Sequence, residues 1–172
     1  MSDPMPGETD CSRYRIVLAK EAFKFSAAHF TLFPDGSAEL LHGHNYRVEV
    51  ELSGGGLDEE GLLVDLESFK KVLRGRCARL DSFTLLPAES RRLLWSRAEG
   101  SIEVHCGARV YRFPEDDVLL LPLVNTSIEL LAHMLWEELA PHLWGSRVDT
   151  LAVSVEESAG QRCWYEARLV HP

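Results

Sequence analysis

Several common signatures are missing from this sequence of 172 residues. It has four cysteines, Cys11, Cys77, Cys106 and Cys163, and no CxxC pair among them. That excludes a cysteine zinc site and reads as reduced thiols in a cytoplasmic protein rather than a disulfide framework. It has no apolar run of transmembrane length. Its opening stretch, MSDPMPGETDCS, lacks the apolar core of a secretory leader. Basic charge is also scarce. A net charge of -9 argues against nucleic acid or an anionic membrane as the main partner, since both call for a basic face. A small-molecule site depends on local charge and is compatible with this balance.

What remains is an ordinary globular composition, 45% hydrophobic and 26% charged, enough for one domain with a sizeable core. Residues 1–12 read as a disordered tail and residues 13–172 as a single domain. YRIVLAKEAFKF, Tyr14 to Phe25, reads as a strand, followed by FSAAHF and a turn-rich FPDGS. HGHNYRVEVELSG is the clearest strand: Tyr46, Val48, Val50 and Leu52 take one face, and Arg47, Glu49 and Glu51 the other. Gly54 to Gly56 then break it. A helix follows with Asp65 as its N-cap and Val64, Phe69, Val72, Leu73, Cys77 and Leu80 near a 3.6-residue period. Ser101 to Phe113 reads as a hairpin turning near Cys106 and Gly107. A second helix after Asn125-Thr126-Ser127 carries Ile128, Leu131, Leu135, Trp136 and Leu139 and ends at Pro141. TLAVSVEES and RCWYEARLV close the chain as two strands. This order predicts an α+β fold, an antiparallel sheet with two helices on one face.

Two histidines open the clearest strand. His42 and His44 are two residues apart, so they share a face of the strand, with Gly43 leaving the other side open. Neutral imidazoles so placed can share one zinc if a third ligand joins them and a position stays open for substrate. His29, at the end of FSAAH, is the third candidate, on a segment that could pair with the histidine strand. Single histidines at strand starts are usually only polar groups; the pair plus an upstream histidine points to metal.

FSAAH, HGHNYRVEVELSG, GLLVDLESFKKVL, LD, SIELLA and VSVEES, in that order from about Phe23 to Tyr165, resemble the 6-pyruvoyl-tetrahydropterin and 6-carboxy-tetrahydropterin synthase family. The resemblance implies the tunnelling fold, with trimers or hexamers that place a pterin pocket at a subunit interface. It implies His29, His42 and His44 as a zinc triad, and Glu157 as the anchor of the pterin ring. A carboxylate can accept two hydrogen bonds from the amino and ring N–H edge of a pterin. Glu129 and Ser127 match the family's motif at the second helix and are implied substrate contacts. Their plain readings are a helix-start acid favoured by the dipole for Glu129 and a solvated strand-end charge for Glu157.

The sequence departs from the family in its proton relay. The cysteine a few residues before HGH is absent; Ala38 and Glu39 stand there instead. The family's Asp-His pair is Asp81 followed by Ser82, and a serine hydroxyl does not shuttle protons near neutral pH as imidazole does. A segment of about residues 87–122 is longer than in compact members and holds His105 and Cys106, which could stand in for the missing groups. Some members carry a glutamate near HGH and cleave the side chain to 6-hydroxymethyl-7,8-dihydropterin; Glu39 makes this sequence similar to them. The implied activity is therefore that of a zinc-dependent lyase of pterin biosynthesis acting on dihydroneopterin or its triphosphate. Glu39, with Asp81, would do the proton work, Glu39 with a pKa raised towards neutrality by a partly dry pocket. The alternatives are a 6-pyruvoyl- or 6-carboxy-tetrahydropterin synthase, and a degenerate paralogue that binds zinc and a pterin without turnover.

Overall fold

The computed structural model describes residues 12–170, and the expected disordered tail of residues 1–12 lies almost wholly outside them. Twelve main elements follow in order: β1 Tyr14–Leu18, β2 Lys24–His29, β3 His42–Gly54, α1 Leu66–Leu80, β4 Phe83–Pro87, β5 Leu94–Ala98, β6 Ser101–Cys106, β7 Arg109–Pro114, β8 Val118–Leu121, α2 Ile128–Leu139, β9 Thr150–Ser158 and β10 Gln161–Arg168.

The architecture is the expected α+β layering, built on β3. Its thirteen residues are long enough to pair with three strands. β2 pairs antiparallel with its first half, from Lys24↔Arg47 to His29↔His42. β1 pairs with its second half, from Leu18↔Val50 to Tyr14↔Gly54. β9 runs along its other edge, and β10 along β9. The expected single strand from Tyr14 to Phe25 is thus two strands. The chain turns between them, where Phe23 N–H donates to Lys20 C=O at 2.9 Å.

Expectation and structure differ at the far edge of this sheet. β4 and β8 add to β2 in parallel, giving a seven-stranded mixed sheet rather than a purely antiparallel one. Both are short apolar runs, FTLLP and VLLL. The core-facing side of the sheet carries Phe25 and Ala27 on β2, Tyr46, Val48, Val50 and Leu52 on β3, and Val153 and Val155 on β9. It packs against Phe69, Leu73, Cys77 and Leu80 of α1 and Leu131, Leu135 and Leu139 of α2. Asp65 caps α1 as expected, accepting from the N–H groups of Glu67 and Ser68, and Ser127 caps α2.

The segment 87–122 is more than a hairpin. The turn near Gly107 is where expected, but β5 joins β6 and β7 in a separate three-stranded sheet. Ile102, Val104 and Cys106 of β6 bury with Phe30, Leu32, Leu86 and Leu93 in a second apolar cluster. That cluster supports the loop of residues 30–41, which leads from His29 to His42.

Candidate metal centre and active site

The antiparallel register sets His29 directly across from His42. His42 and His44 share the core-facing side of β3 with Tyr46, and His29 shares it with Phe25 and Ala27. One candidate ligand atom from each of the three histidines lies within 4.8 Å of the other two. The site sits where the apolar stripe of the sheet ends, beside the start of α2.

Two of the rings are held by backbone carbonyls. Nδ1 of His29 is 2.9 Å from the Thr126 carbonyl, and Nδ1 of His42 is 2.7 Å from the Leu40 carbonyl. A carbonyl only accepts, so each Nδ1 is the protonated nitrogen and each Nε2 carries the lone pair. Nε2 of His29 is buried without a hydrogen-bond partner, in a residue only 1% exposed. A buried nitrogen lone pair with no donor is costly as it stands, and a metal cation held by the three rings would satisfy it. The donor set, three imidazoles with two fixed tautomers, fits zinc.

Burial lowers the pKa of His29, helped by the neighbouring His42 and His44 and opposed by the Thr126 carbonyl and Glu39. The ring is therefore neutral and ready to ligate near pH 7. The sign for stability follows. The unfolded chain takes up the His29 proton near pH 6.5, whereas the folded chain resists it to lower pH. Stability from this group is complete above that range and is lost as pH falls through it towards the folded pKa. Urea midpoints of the metal-free protein should fall between about pH 7.5 and about pH 5. His29→Asn, which has no such proton to take up, should show a shallower fall over the same range.

Glu157, on β9 with the parity of Val153 and Val155, reaches the cluster: its Oε2 is 3.9 Å from His44 Nε2. Glu156 points away, where it pairs with Arg162 at 2.7 Å and accepts from the Gly160 N–H. Tyr46, expected from its place on β3 only as a core residue, stands edge-on to His29 and His44 at ring distances of 5.8 and 5.6 Å. Its hydroxyl is buried without a partner, and burial, with the charges of Glu157 and Glu39, pushes its pKa up.

Glu39 is half-buried on the loop before His42. Its Oε2 accepts from the Thr31 N–H at 2.9 Å. Burial does push its pKa up, as expected, but hydrogen bonding from Thr31 and the nearby His42 and His29 outweigh it. The net shift is downward, so the expected rise towards neutrality is not found, and Glu39 is a carboxylate at neutral pH.

The other candidates lie further out. Asp81 is exposed, with Oδ1 accepting from the Ser26 N–H at 2.7 Å and Oδ2 from the Ser82 hydroxyl at 3.2 Å. It ties the end of α1 to β2, three residues along from His29. Ser127 spends its hydroxyl on capping Leu130 N–H. Glu129, exposed in the first turn of α2, neighbours Cys163 on β10 and raises that thiol's pKa together with burial. The residue of this motif that touches the histidines is Thr126, through its carbonyl. His105 and Cys106 do not fill the gap in the relay. His105 is exposed and sits 2.7 Å from Glu103, and Cys106 is buried in the second cluster.

Two grooves meet at Gly43, His44 and Asn45. One, of about 550 Å³, continues along Ser26, Ser82 and Asp117; the other, of about 480 Å³, along Arg47, Glu157 and Ser158. Both are in the size range of small-molecule sites. Among the described residues no helix is long and apolar enough to cross a membrane.

Known proteins share the fold and the family of this chain. A 6-pyruvoyl tetrahydropterin synthase from Plasmodium falciparum is 28% identical, with a TM-score of 0.84 over 91% of this chain and 99% of that one. The Plasmodium vivax enzyme of that name is 29% identical, with a TM-score of 0.82 over the same shares. Two further structures of the P. vivax enzyme carry alanine or cysteine in place of a glutamate described as a catalytic residue. Among curated relatives, a 6-carboxy-5,6,7,8-tetrahydropterin synthase from Rickettsia bellii is 25% identical over 124 residues, 72% of this chain and 80% of that protein. The profile of the 6-pyruvoyl tetrahydropterin synthase family matches residues 18–168, and the chain belongs to that family.

Proposed function

We propose that the protein is a zinc-dependent enzyme that converts dihydroneopterin, or its triphosphate, to 6-hydroxymethyl-7,8-dihydropterin. The observation that carries this reading is the pairing of the three-histidine cluster with Glu39, held beside it where the family's cysteine is absent. A glutamate is also described as catalytic in the P. vivax enzyme, which is named a 6-pyruvoyltetrahydropterin synthase, and this supports a catalytic role for Glu39.

His29, His42 and His44 would hold the zinc. Zinc at such a site acts as a Lewis acid that makes hydroxyl groups more acidic. The rest falls to the chain's own residues. Glu157 accepts hydrogen bonds from the amino and N–H edge of the pterin and fixes the ring. Glu39, ionised at neutral pH, takes the proton of a side-chain hydroxyl. The adjacent carbon–carbon bond breaks, an aldehyde leaves, and the proton returns to the carbon that stays on the ring. Protons and electrons balance without an oxidant, and one carboxylate suffices for both transfers. Asp81, fixed by Ser26 and Ser82 next to the larger groove, is the second acid we assign to the site. Ser127 is engaged as a helix cap and Glu129 lies towards β10, so Glu157 is the stronger candidate for the ring anchor. β10 and β8, at the edges of the main sheet, are the edges through which we propose trimers form, with two trimers making a hexamer.

A 6-pyruvoyl- or 6-carboxy-tetrahydropterin synthase is the second reading, favoured by the names of the two Plasmodium enzymes and of curated relatives such as that of R. bellii. Against it, this chain lacks the cysteine implied for the synthases' proton relay.

Consumption of dihydroneopterin by the zinc-loaded protein tests the enzyme reading. Turnover that disappears on chelation and returns with zinc supports it. Tight binding without turnover would leave only a zinc- and pterin-binding protein. Glu157→Gln exchanges one acceptor oxygen for an amide. By isothermal titration it should weaken pterin binding by about 1.5–3 kcal/mol, the scale of hydrogen bonds to a charged group. Glu156→Gln should bind as the parent does, since Glu156 faces the other side; equal losses would argue against a specific anchor.

A further inference from the structure

Three consecutive carbonyls precede the histidine strand, and each has a defined acceptor role. Those of Ala38 and Glu39 both accept from one guanidinium nitrogen of Arg109, at 3.0 and 2.7 Å. That of Leu40 sits 2.7 Å from His42 Nδ1. The Glu39 N–H donates to the Thr31 carbonyl at 3.0 Å, and the Glu39 carboxylate accepts from the Thr31 N–H. The segment is thus held on one side by its own loop and on the other by a side chain from the inserted sheet.

The insertion is built to deliver that side chain. Arg109 is the first residue of β7, across from Cys106 and just after the turn at Gly107, whose φ of +59° favours glycine. Cys106, Val104 and Ile102 bury with Phe30 and Leu32, at the base of the same loop, and Tyr111 stacks on Phe30 at 5.7 Å. Arg92, at the entry to β5, donates to the Phe33 carbonyl near the loop's tip. Among the described residues Arg109 has no ion-pair partner, so its charge goes to neutral carbonyls. Such charge-assisted bonds are stronger than neutral ones and fix peptide orientation.

We infer that Arg109 is a positioning residue for Glu39, and that the inserted sheet braces the loop that carries the proton-transfer group. This rests on the proposed role of Glu39. Freeing the two carbonyls lets the Glu39 peptide swing and its carboxylate with it. Misplacement of a reacting group by even about 1 Å is costly to reaction geometry while leaving substrate affinity nearly intact.

The test uses Arg109→Met, which keeps the stem and removes the donors, and Arg109→Lys, which keeps the charge with a less suited donor geometry. Arg109 is exposed at a hairpin end, where substitutions are mild for folding. In the zinc-loaded protein acting on dihydroneopterin, Arg109→Met should lower kcat by about tenfold to a hundredfold. KM should change little, and Arg109→Lys should fall between. In the metal-free protein, amide exchange at Glu39, whose N–H donates to the Thr31 carbonyl, should quicken in Arg109→Met while α1 stays protected. In a Glu39→Gln background, Arg109→Met should cost nothing further in kcat, because it acts through Glu39. Undiminished additivity there, or an Arg109→Met variant with parental kcat and exchange, overturns the inference. If Glu39→Gln itself retained full turnover, the role of Glu39 would fall and the brace with it. If Glu39→Gln were impaired but Arg109→Met were not, only the brace would fall.

Discussion

His29→Ala should purify with little metal and no measurable turnover, and it should have the largest effect of any single substitution. Its Nε2 is the buried nitrogen without a partner, and its Nδ1 is fixed by Thr126. Removing it leaves two imidazoles, too few for the closed side of a catalytic zinc site. The loss in zinc affinity should exceed the roughly 10- to 100-fold that removal of a supporting hydrogen-bond partner costs. His42→Ala and His44→Ala should behave alike, since both are half-exposed and neither is needed to fill the core. Metal content by elemental analysis, with far-ultraviolet circular dichroism to check the fold, gives the answer. Full metal in all three variants would refute the assignment of the triad.

The second large effect should come from Glu39→Gln. The side chain keeps its shape, so the Thr31 N–H retains an acceptor and the loop keeps its path. The amide cannot take a proton, however. Turnover should drop by about 10²- to 10⁴-fold, the range for losing a general base, with zinc content at the parental level. The limb of the rate profile governed by Glu39 should lie on the acid side. Its pKa is lowered by Thr31 and the histidines despite burial, so activity requiring the carboxylate is lost as pH falls through that lowered value. Unchanged turnover in Glu39→Gln would remove it from the mechanism.

Much of this was legible in the sequence for definite physical reasons. Alternation from Tyr46 to Leu52 fixes which side of β3 is core, and parity then places His42, His44 and Tyr46 on that side. Asp65 ahead of an amphipathic run marks the start of α1. The pairing of His29 with His42 could be guessed because FSAAH and HGHNY follow one another along the chain, joined by a turn-rich link of residues 30–41. Other features leave no local trace. β4 and β8 are brief apolar runs whose only reason to be strands is a parallel partner distant in sequence. β5 is mostly exposed and is a strand because β6 is there to pair with it. The contacts that tune the site are side chains meeting backbone carbonyls: Thr126 with His29, Leu40 with His42, Arg109 with Ala38 and Glu39. A carbonyl is present at every position, so no residue type signals it. Glu39 shows the consequence. Partial burial alone argues for a raised pKa, but hydrogen bonding from Thr31 and two nearby imidazoles reverse the sign.

The side chain of the product is the most direct test of the central claim. Zinc-loaded protein incubated with dihydroneopterin, and separately with its triphosphate, should yield 6-hydroxymethyl-7,8-dihydropterin and a small aldehyde by mass analysis. In the Glu39→Gln variant the same product should form far more slowly. A product that keeps its side-chain carbons as a 6-pyruvoyl group, or one ending in a 6-carboxyl group, would contradict the account.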